Sequence, residues 1–251
     1  MTDLSKLKLY ATHPHPCSYL SGEQATTLFV DPDTSVDQLA YSELADLGFR
    51  RSGKHIYRPH CASCQACLAA RIPVEHFKAK RNQRKIWNRN QDLTVDEVEH
   101  IDGDQYFELY QRYIDRRHRD GDMFPATREQ YQSFLTKEWD STRFFRFSCG
   151  EELLAVAVVD QLTRGLAAVY TFFDADNERR SLGSYAILWQ VEMARQLDLP
   201  YLYLGYWIRN CRKMNYKTDY RPLEILVGNR WQLWQDNNSG PPPHSTDQTN
   251  G

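Results

Sequence analysis

The chain of 251 residues has a formal net charge of −2, with 41% hydrophobic, 25% charged and 13% aromatic residues. This is ordinary globular composition, enough for one large domain or two small ones, and the aromatic share points to a sheet-rich core or stacking surfaces. No stretch approaches the ~20 apolar residues of a membrane span, and the first residues, Met1-Thr-Asp-Leu-Ser-Lys6, lack the charged-then-apolar order of an export signal, so a cytoplasmic protein without a membrane or DNA partner is expected.

Residues 1–100 read as a first unit, rich in turns, cysteines and basic residues. Tyr41 to Phe49 suits a short helix stopped at Gly48. Ser52-Gly53-Lys54-His55 reads as a tight turn between two short strands. Arg71-Ile72-Pro73-Val74 predicts another strand, on an edge because proline cannot donate to a ladder. No acid lies between Asp46 and Glu75, or between Glu75 and Asp92, yet that span holds Arg50, Arg51, Lys54, Arg58, Arg71, Lys78, Lys80, Arg81, Arg84, Lys85 and Arg89. A near-neutral protein with one basic zone points to a local polyanion site; the plainer reading is a solvated basic surface. At helical spacing Arg81, Arg84, Lys85 and Arg89 share one face.

Of the six cysteines, Cys61, Cys64 and Cys67 sit too close for unstrained mutual disulfides. With Cys17 they supply four thiols, a set suited to zinc or an iron–sulfur cluster, and His13, His15 or His60 could contribute. The alternative is a set of reduced, buried thiols. Cys149 and Cys211 have no adjacent activating group and read as structural.

A second unit begins near Gly103 and runs to residue 235. Tyr106, Leu109, Tyr110, Tyr113 and Ile114 recur at helical spacing, and Thr127-x-x-Gln130 resembles a capping box opening a helix toward Trp139. Arg143–Ser148, Leu153–Val159 and Leu166–Phe173, joined by short glycine turns, predict an antiparallel meander. Ser181 suits the N-cap of a helix whose stripe is Leu182, Ala186, Trp189, Met193 and Leu197. After Pro200, Tyr201–Ile208 reads as a buried strand interrupted at Gly205, with strands near Ile225 and Trp231 to close the unit. Residues 236–251 read as a disordered tail.

Meander, loop, helix and strand is the order of an acyltransferase fold of the N-acetyltransferase (GNAT) type, whose loop before the main helix aims backbone N–H groups at a phosphate. Here Arg180-x-x-Gly183-x-Tyr185 keeps the first half of the usual loop pattern and loses its last glycine. The expected class is therefore α+β (mixed), with an acetyltransferase-like C-terminal domain.

Longer segments carry a more specific signal. They are Cys17-Ser-Tyr-Leu20, Gly48-Phe-Arg-Arg-Ser-Gly53, Tyr57-Arg-Pro-His-Cys61, the Cys61–Cys67 run and Arg71-Ile-Pro-Val74. Later come Ala168-Val-Tyr-Thr-Phe-Phe-Asp174, Ser181-Leu-Gly183, Tyr201-Leu-Tyr-Leu-Gly-Tyr-Trp-Ile208, Lys213-Met-Asn-Tyr-Lys217 and Arg221-Pro-Leu-Glu224. Across nearly the whole chain except the tail, these resemble the bacterial aspartate/glutamate leucyltransferases, relatives of the arginyl-tRNA–protein transferases. The resemblance implies a small cysteine-bearing N-terminal domain, leucyl-tRNA as donor, proteins beginning with Asp or Glu as acceptors, and marking of those proteins for degradation.

Such a reaction turns an activated ester into an amide and needs no ATP or cofactor. It sets three recognition tasks. Positive charge for the tRNA would come from Arg81, Arg84, Lys85 and Arg89, with Trp87 between them, and from the Arg180, Ser181 and Gly183 loop. A cation for the acceptor's acidic side chain would be Arg71, Lys213, Lys217 or Arg221. An apolar pocket for the leucyl group would take Tyr170, Phe172, Leu204 and Tyr206. Asp174 is the candidate general base, with Tyr203 and Tyr206 as alternatives. The same chemistry with arginyl-tRNA, a non-catalytic metal- or redox-sensing RNA-binding module, and a CoA-dependent acetyltransferase are the competing readings.

Overall fold

The computed structural model describes residues 2–135 and 139–235; the predicted tail lies outside them. The chain opens with short strands β1 (Leu9–Ala11), β2 (His15–Pro16), β3 (Gln24–Ala25) and β4 (Thr27–Val30). Helix α1 (Gln38–Asp46) follows, its first turn held by the Asp37 carboxylate, which accepts the Ala40 N–H at 2.8 Å. β5 (Arg50–Ser52) and β6 (His55–Pro59) flank the predicted turn, and β1, β4, β6 and β5 pair in that order into a small antiparallel sheet.

Next come β7 (Leu68–Pro73), α2 (Arg81–Arg89), β8 (Thr94–Val98), α3 (Asp104–Arg117) and α4 (Arg128–Leu135). Thr127 caps α4 as expected, accepting the Gln130 N–H at 3.2 Å. The predicted meander follows as β9 (Thr142–Cys149), β10 (Glu152–Leu162) and β11 (Gly165–Phe173), then α5 (Leu182–Gln196), β12 (Tyr201–Trp207), β13 (Glu224–Val227) and β14 (Arg230–Leu233). These strands form an eight-stranded mixed sheet in the order β14-β13-β7-β12-β11-β10-β9-β8.

β7 and β8 precede residue 100 in the chain, where sequence reading placed a boundary, yet both are strands of this main sheet. β7 is also interior, between β12 and β13, where an edge strand was expected. Pro73 is tolerated because it is the last residue of β7, and β13 reaches only Arg71 and Ala70.

Alternation along the strands sorts the core. Ala155, Ala157 and Val159 pack with α5, whereas Val156 and Val158 pack with α3 and α4. Further along the sheet, Ala167 and Tyr203 pack with Tyr41, Phe49 and Ile56 of the N-terminal layer. That layer is fastened by a buried ion pair. Asp160 on β10 accepts from Arg51 Nε and Nη2 at 2.6 and 2.8 Å, from Tyr41 Oη at 2.8 Å and from Thr142 Oγ1 at 2.7 Å.

The meander ends in a parallel pair. β11 and β12 pair only from Gly165–Tyr201 to Ala167–Tyr203. Just beyond, each slips register against its other neighbour: β11 skips Val169 against β10, and β12 skips Leu204 against β7. A bulge bends and twists the strand that carries it, so two bulges at the same level separate the strands. The pairing needs a bare residue at its root, since a Cβ on Gly165 would lie 2.4 Å from the Tyr201 carbonyl oxygen. Gly165→Ala is expected to cost about 1–3 kcal/mol, read as a lower urea midpoint; an unchanged midpoint would show that the strands can yield.

Candidate functional site

β11 runs on into the loop that opens α5, as the strand–loop–helix order of the sequence predicts, while the parted end of β12 leads to the Arg212–Asp219 segment. Gly205, just past the β12 bulge, has φ of 78° and nothing within 4 Å of the position a Cβ would take. Only a residue without a Cβ holds that backbone angle cheaply, and it leaves open space beside the chain.

The predicted proton-transfer groups are occupied. Tyr203 donates to Asp46 Oδ1 at 2.6 Å, and Tyr206 to the carbonyls of Gly48 at 2.8 Å and Tyr57 at 3.3 Å. Burial raises the pKa of both phenols well above the ordinary tyrosine range. Asp174, half-buried at the end of β11, accepts the Asp176 N–H at 3.2 Å, an Asx turn that shapes the loop.

The residues predicted to hold the leucyl group divide between packing clusters. Phe172 is fully buried against Tyr110 and Tyr131, and Tyr170 lies near Tyr110, Tyr113 and Phe134 on the same α3/α4 side. Leu204 instead packs into the α5 core. Tyr170 and Phe172, two apart on β11, share a face, but Leu204 packs toward α5 and Tyr206 with Ala69 and Leu226, so the four do not line one wall.

The basic residues do converge. α2 buries Gln83 and Ile86 and exposes Arg81, Arg84, Lys85 and Arg89. The helix is tied to the α5 loop about ninety positions away: Asn90 Nδ2 donates to the Arg180 carbonyl at 2.8 Å and Arg89 to that of Arg179. Trp87 packs on Tyr185 of α5, ring centroids 5.5 Å apart. Together with Leu93, Val95 and Trp189, these two rings line a shallow hollow of about 350 Å³.

Arg180 itself is engaged, with Nη1 and Nη2 donating to the two Asp92 oxygens at 2.8 and 2.7 Å, which holds the Asp92 carboxyl far below its usual range. Ser181 stands at the N-cap of α5 but makes no side-chain cap bond, because its backbone is left-handed with φ of 52°. Gly183 lets α5 approach β11, since a Cβ there would lie 2.8 Å from the Phe173 ring. Asn90 and Asp92, the groups that join these segments, carry no sequence signal that singles them out.

The predicted acceptor cations sit in four different settings. Arg71 is buried between the Tyr201 and Trp231 rings, 3.5 and 4.1 Å from their centroids, and bonds Glu224 Oε2 at 2.7 Å and Asp46 Oδ1 at 2.9 Å. Lys213 is exposed and bonds Asp120 at 2.7 Å. Arg221 lies 4.5 Å from the Trp234 ring centroid and donates to the Thr218 carbonyl at 3.1 Å. Lys217 is different: only 3% exposed, with the Met214 sulfur 3.1 Å away, its ammonium is pulled down to about 8 by burial.

The thiols of Cys17, Cys61 and Cys64, and Cys211 from the other half of the chain, all lie within electrostatic reach of Cys67. Burial, and then these neighbours, push Cys67 up to about 12. Among the described residues, however, no three histidine, cysteine or acidic side chains converge closely enough to hold a metal ion. No helix of the described residues is long and apolar enough to cross a membrane.

Two family models match the chain: arginine-tRNA-protein transferase N terminus over residues 15–85 and arginine-tRNA-protein transferase C terminus over residues 105–227. The chain is 57% identical over 232 residues to an aspartate/glutamate leucyltransferase of Teredinibacter turnerae, covering 92% of this chain and 96% of that one. It is also 57% identical over 231 residues to the protein of that name from Pseudomonas syringae pv. tomato, covering 92% and 98%. The chain belongs to the arginine-tRNA-protein transferase family, among its aspartate/glutamate leucyltransferases. Of solved structures, L-PGS from Bacillus licheniformis overlays 70% of this chain and 62% of its own, with a TM-score of 0.49 and 11% identity, too loose a likeness to bear on function.

Proposed function

We propose that this aminoacyltransferase moves leucine from leucyl-tRNA to the N-terminal amine of proteins beginning with aspartate or glutamate. Use of an aminoacyl-tRNA and a protein substrate follows from the family; leucine and the acidic acceptors rest on the names of its relatives. The observation that carries the reading in the structure is the joining of α2 to the α5 loop. Two basic segments remote in sequence are joined at the loop into which β11 runs.

On this reading the tRNA backbone lies along Arg81, Arg84, Lys85 and Arg89, and a terminal base stacks at Trp87 and Tyr185. The acceptor amine attacks the ester carbonyl; the new C–N bond forms as the C–O bond to the ribose breaks. The amine gives up a proton and the ribose oxygen takes one. An α-amine has a pKa of ~7.7–8, so roughly a tenth of it is neutral at pH 7. Holding the two substrates together supplies effective concentrations of ~10⁵ M or more, and no covalent enzyme intermediate is required. With Tyr203 and Tyr206 already donating internally, Asp174 is the remaining candidate base of the three predicted groups.

The test is transfer by purified protein from labelled leucyl-tRNA or arginyl-tRNA to a peptide beginning with Asp. Leucine transfer is expected. Arginine transfer alone would change the donor, and transfer of neither would remove the enzyme reading and favour a non-catalytic RNA-binding module.

A further inference from the structure

Four cationic side chains are buried among the described residues: Arg50, Arg51, Arg71 and Lys217. Arg51 is neutralised by Asp160, and Arg71 by Glu224 and Asp46. Among the described residues, Arg50 and Lys217 are within bonding distance of no carboxylate. Arg50 is 7% exposed; its Nη1 donates to the Ala45 and Phe49 carbonyls, but Nε and Nη2 reach no acceptor. Its guanidinium carbon lies 5.2 and 5.9 Å from the ring centroids of Tyr203 and Tyr206. Lys217 has the Met214 thioether at 3.1 Å and the Tyr216 ring, its centroid 4.6 Å away, beside its ammonium. The Arg50 charge is one cause of the lowered Lys217 pKa, so the two cations lie in each other's field.

Two like charges buried together without an anion are costly. A fold that neutralises Arg51 and Arg71 so completely has no packing reason to leave this pair bare. The cost is met when an anion arrives from outside. We infer that Arg50 and Lys217 together receive the acidic side chain of the acceptor's first residue, and thereby set the preference for aspartate and glutamate.

Placement favours a peptide carboxylate over a tRNA phosphate. Arg50 lies over Tyr203 and Tyr206, which pack with the N-terminal layer, whereas neighbouring Leu202 and Leu204 pack with α5. Arg50 therefore approaches β12 from the face opposite α5, while the Arg212–Asp219 segment that carries Lys217 reaches α2, where Gln83 donates to the Asp219 carbonyl at 3.2 Å. On this placement the acceptor enters beside the N-terminal layer and meets the donor near α2. Tyrosine rings flank both cations: Tyr203 and Tyr206 lie at Arg50, and Tyr216 at Lys217. Side chains only 7% and 3% exposed suit one carboxylate better than a solvated polynucleotide backbone.

The assignment rests on the transferase reading for its consequence, but binding can be tested without it. Full-length protein, Lys217→Met and Arg50→Lys are titrated with labelled peptides beginning with Asp, Glu, Asn or Gln, and with uncharged tRNA. Wild-type protein is expected to bind Asp and Glu peptides at least tenfold more tightly than their amides. Lys217→Met is expected to lose about ten- to a hundredfold of acid-peptide affinity, the worth of a charge-assisted hydrogen bond. It should lose discrimination against the amides, keep its tRNA affinity, and unfold no earlier than wild type, because it removes a buried charge. In transfer assays the loss should fall on KM for the peptide. Unchanged acid-over-amide preference in both variants would overturn the assignment, as would a loss of tRNA affinity. If wild-type protein binds acid peptides through Lys217 but transfers nothing, the transferase reading fails and the site stands. If it shows no acid preference, the site fails.

Discussion

Replacing Asp160 with alanine is expected to cost about 3–5 kcal/mol of folding free energy, the loss typical of one partner of a buried ion pair. Both side chains of the Arg51–Asp160 pair are 0% exposed. Asp160 accepts four hydrogen bonds, from Arg51, Tyr41 and Thr142, so its removal strands a guanidinium, a phenol and a hydroxyl together. A chain of this size has roughly 5–15 kcal/mol in all, so much of the stability goes. Urea unfolding should show a much lower midpoint with the slope unchanged. Asp160→Leu combined with Arg51→Met should recover a large part of the loss, because no charge is then stranded. If Asp160→Ala costs less than about 1 kcal/mol, water reaches the pair. The consequence reaches the site, for these bonds fix α1, β5 and therefore Arg50 against the main sheet.

The largest effect on donor binding is expected from α2. Alanine at Arg81, Arg84, Lys85 and Arg89 together should weaken tRNA binding by about a hundredfold near 0.15 M salt and flatten the plot of log affinity against log salt by about 3, since each phosphate contact adds roughly 0.7–0.9 to that slope. All four side chains are exposed, on the face away from buried Gln83 and Ile86, and Asn90 keeps its bond to the Arg180 carbonyl when Arg89 loses its own to Arg179, so the fold should hold and circular dichroism melts should move little. Fluorescence anisotropy with tRNA between 50 and 200 mM salt measures both quantities. An unchanged slope would mean that these residues form an ordinary solvated surface. A matching set of substitutions at Arg112, Arg116, Arg117 and Arg119, on and just after α3, serves as the control and should leave the slope nearly intact.

The elements that could be read from sequence are those whose cause is local. The α3 stripe, the Thr127 cap, the β9–β10–β11 meander with its glycine turns and the helix after Ser181 all depend on residues within a few positions of one another. The basic face of α2 was legible for the same reason. Ser181 shows the limit of local chemistry: a hydroxyl of the right type stands at the N-cap, but a left-handed backbone keeps it from capping.

By itself, the sequence determined the periodicity of the long helices, the meander, the basic zone and the family motifs. Tertiary structure alone decided where β7 enters the sheet, which thiols become neighbours and which cations are neutralised. The physical reason is that pairing is a property of distant partners. Arg51 meets Asp160 and Arg71 meets Glu224, separations of 109 and 153 residues. Arg50 adjoins Arg51 in the same strand and in the same basic run, yet reaches no carboxylate, because alternate strand residues point to opposite faces. Nothing in the residue types separates these arginines; the fold does.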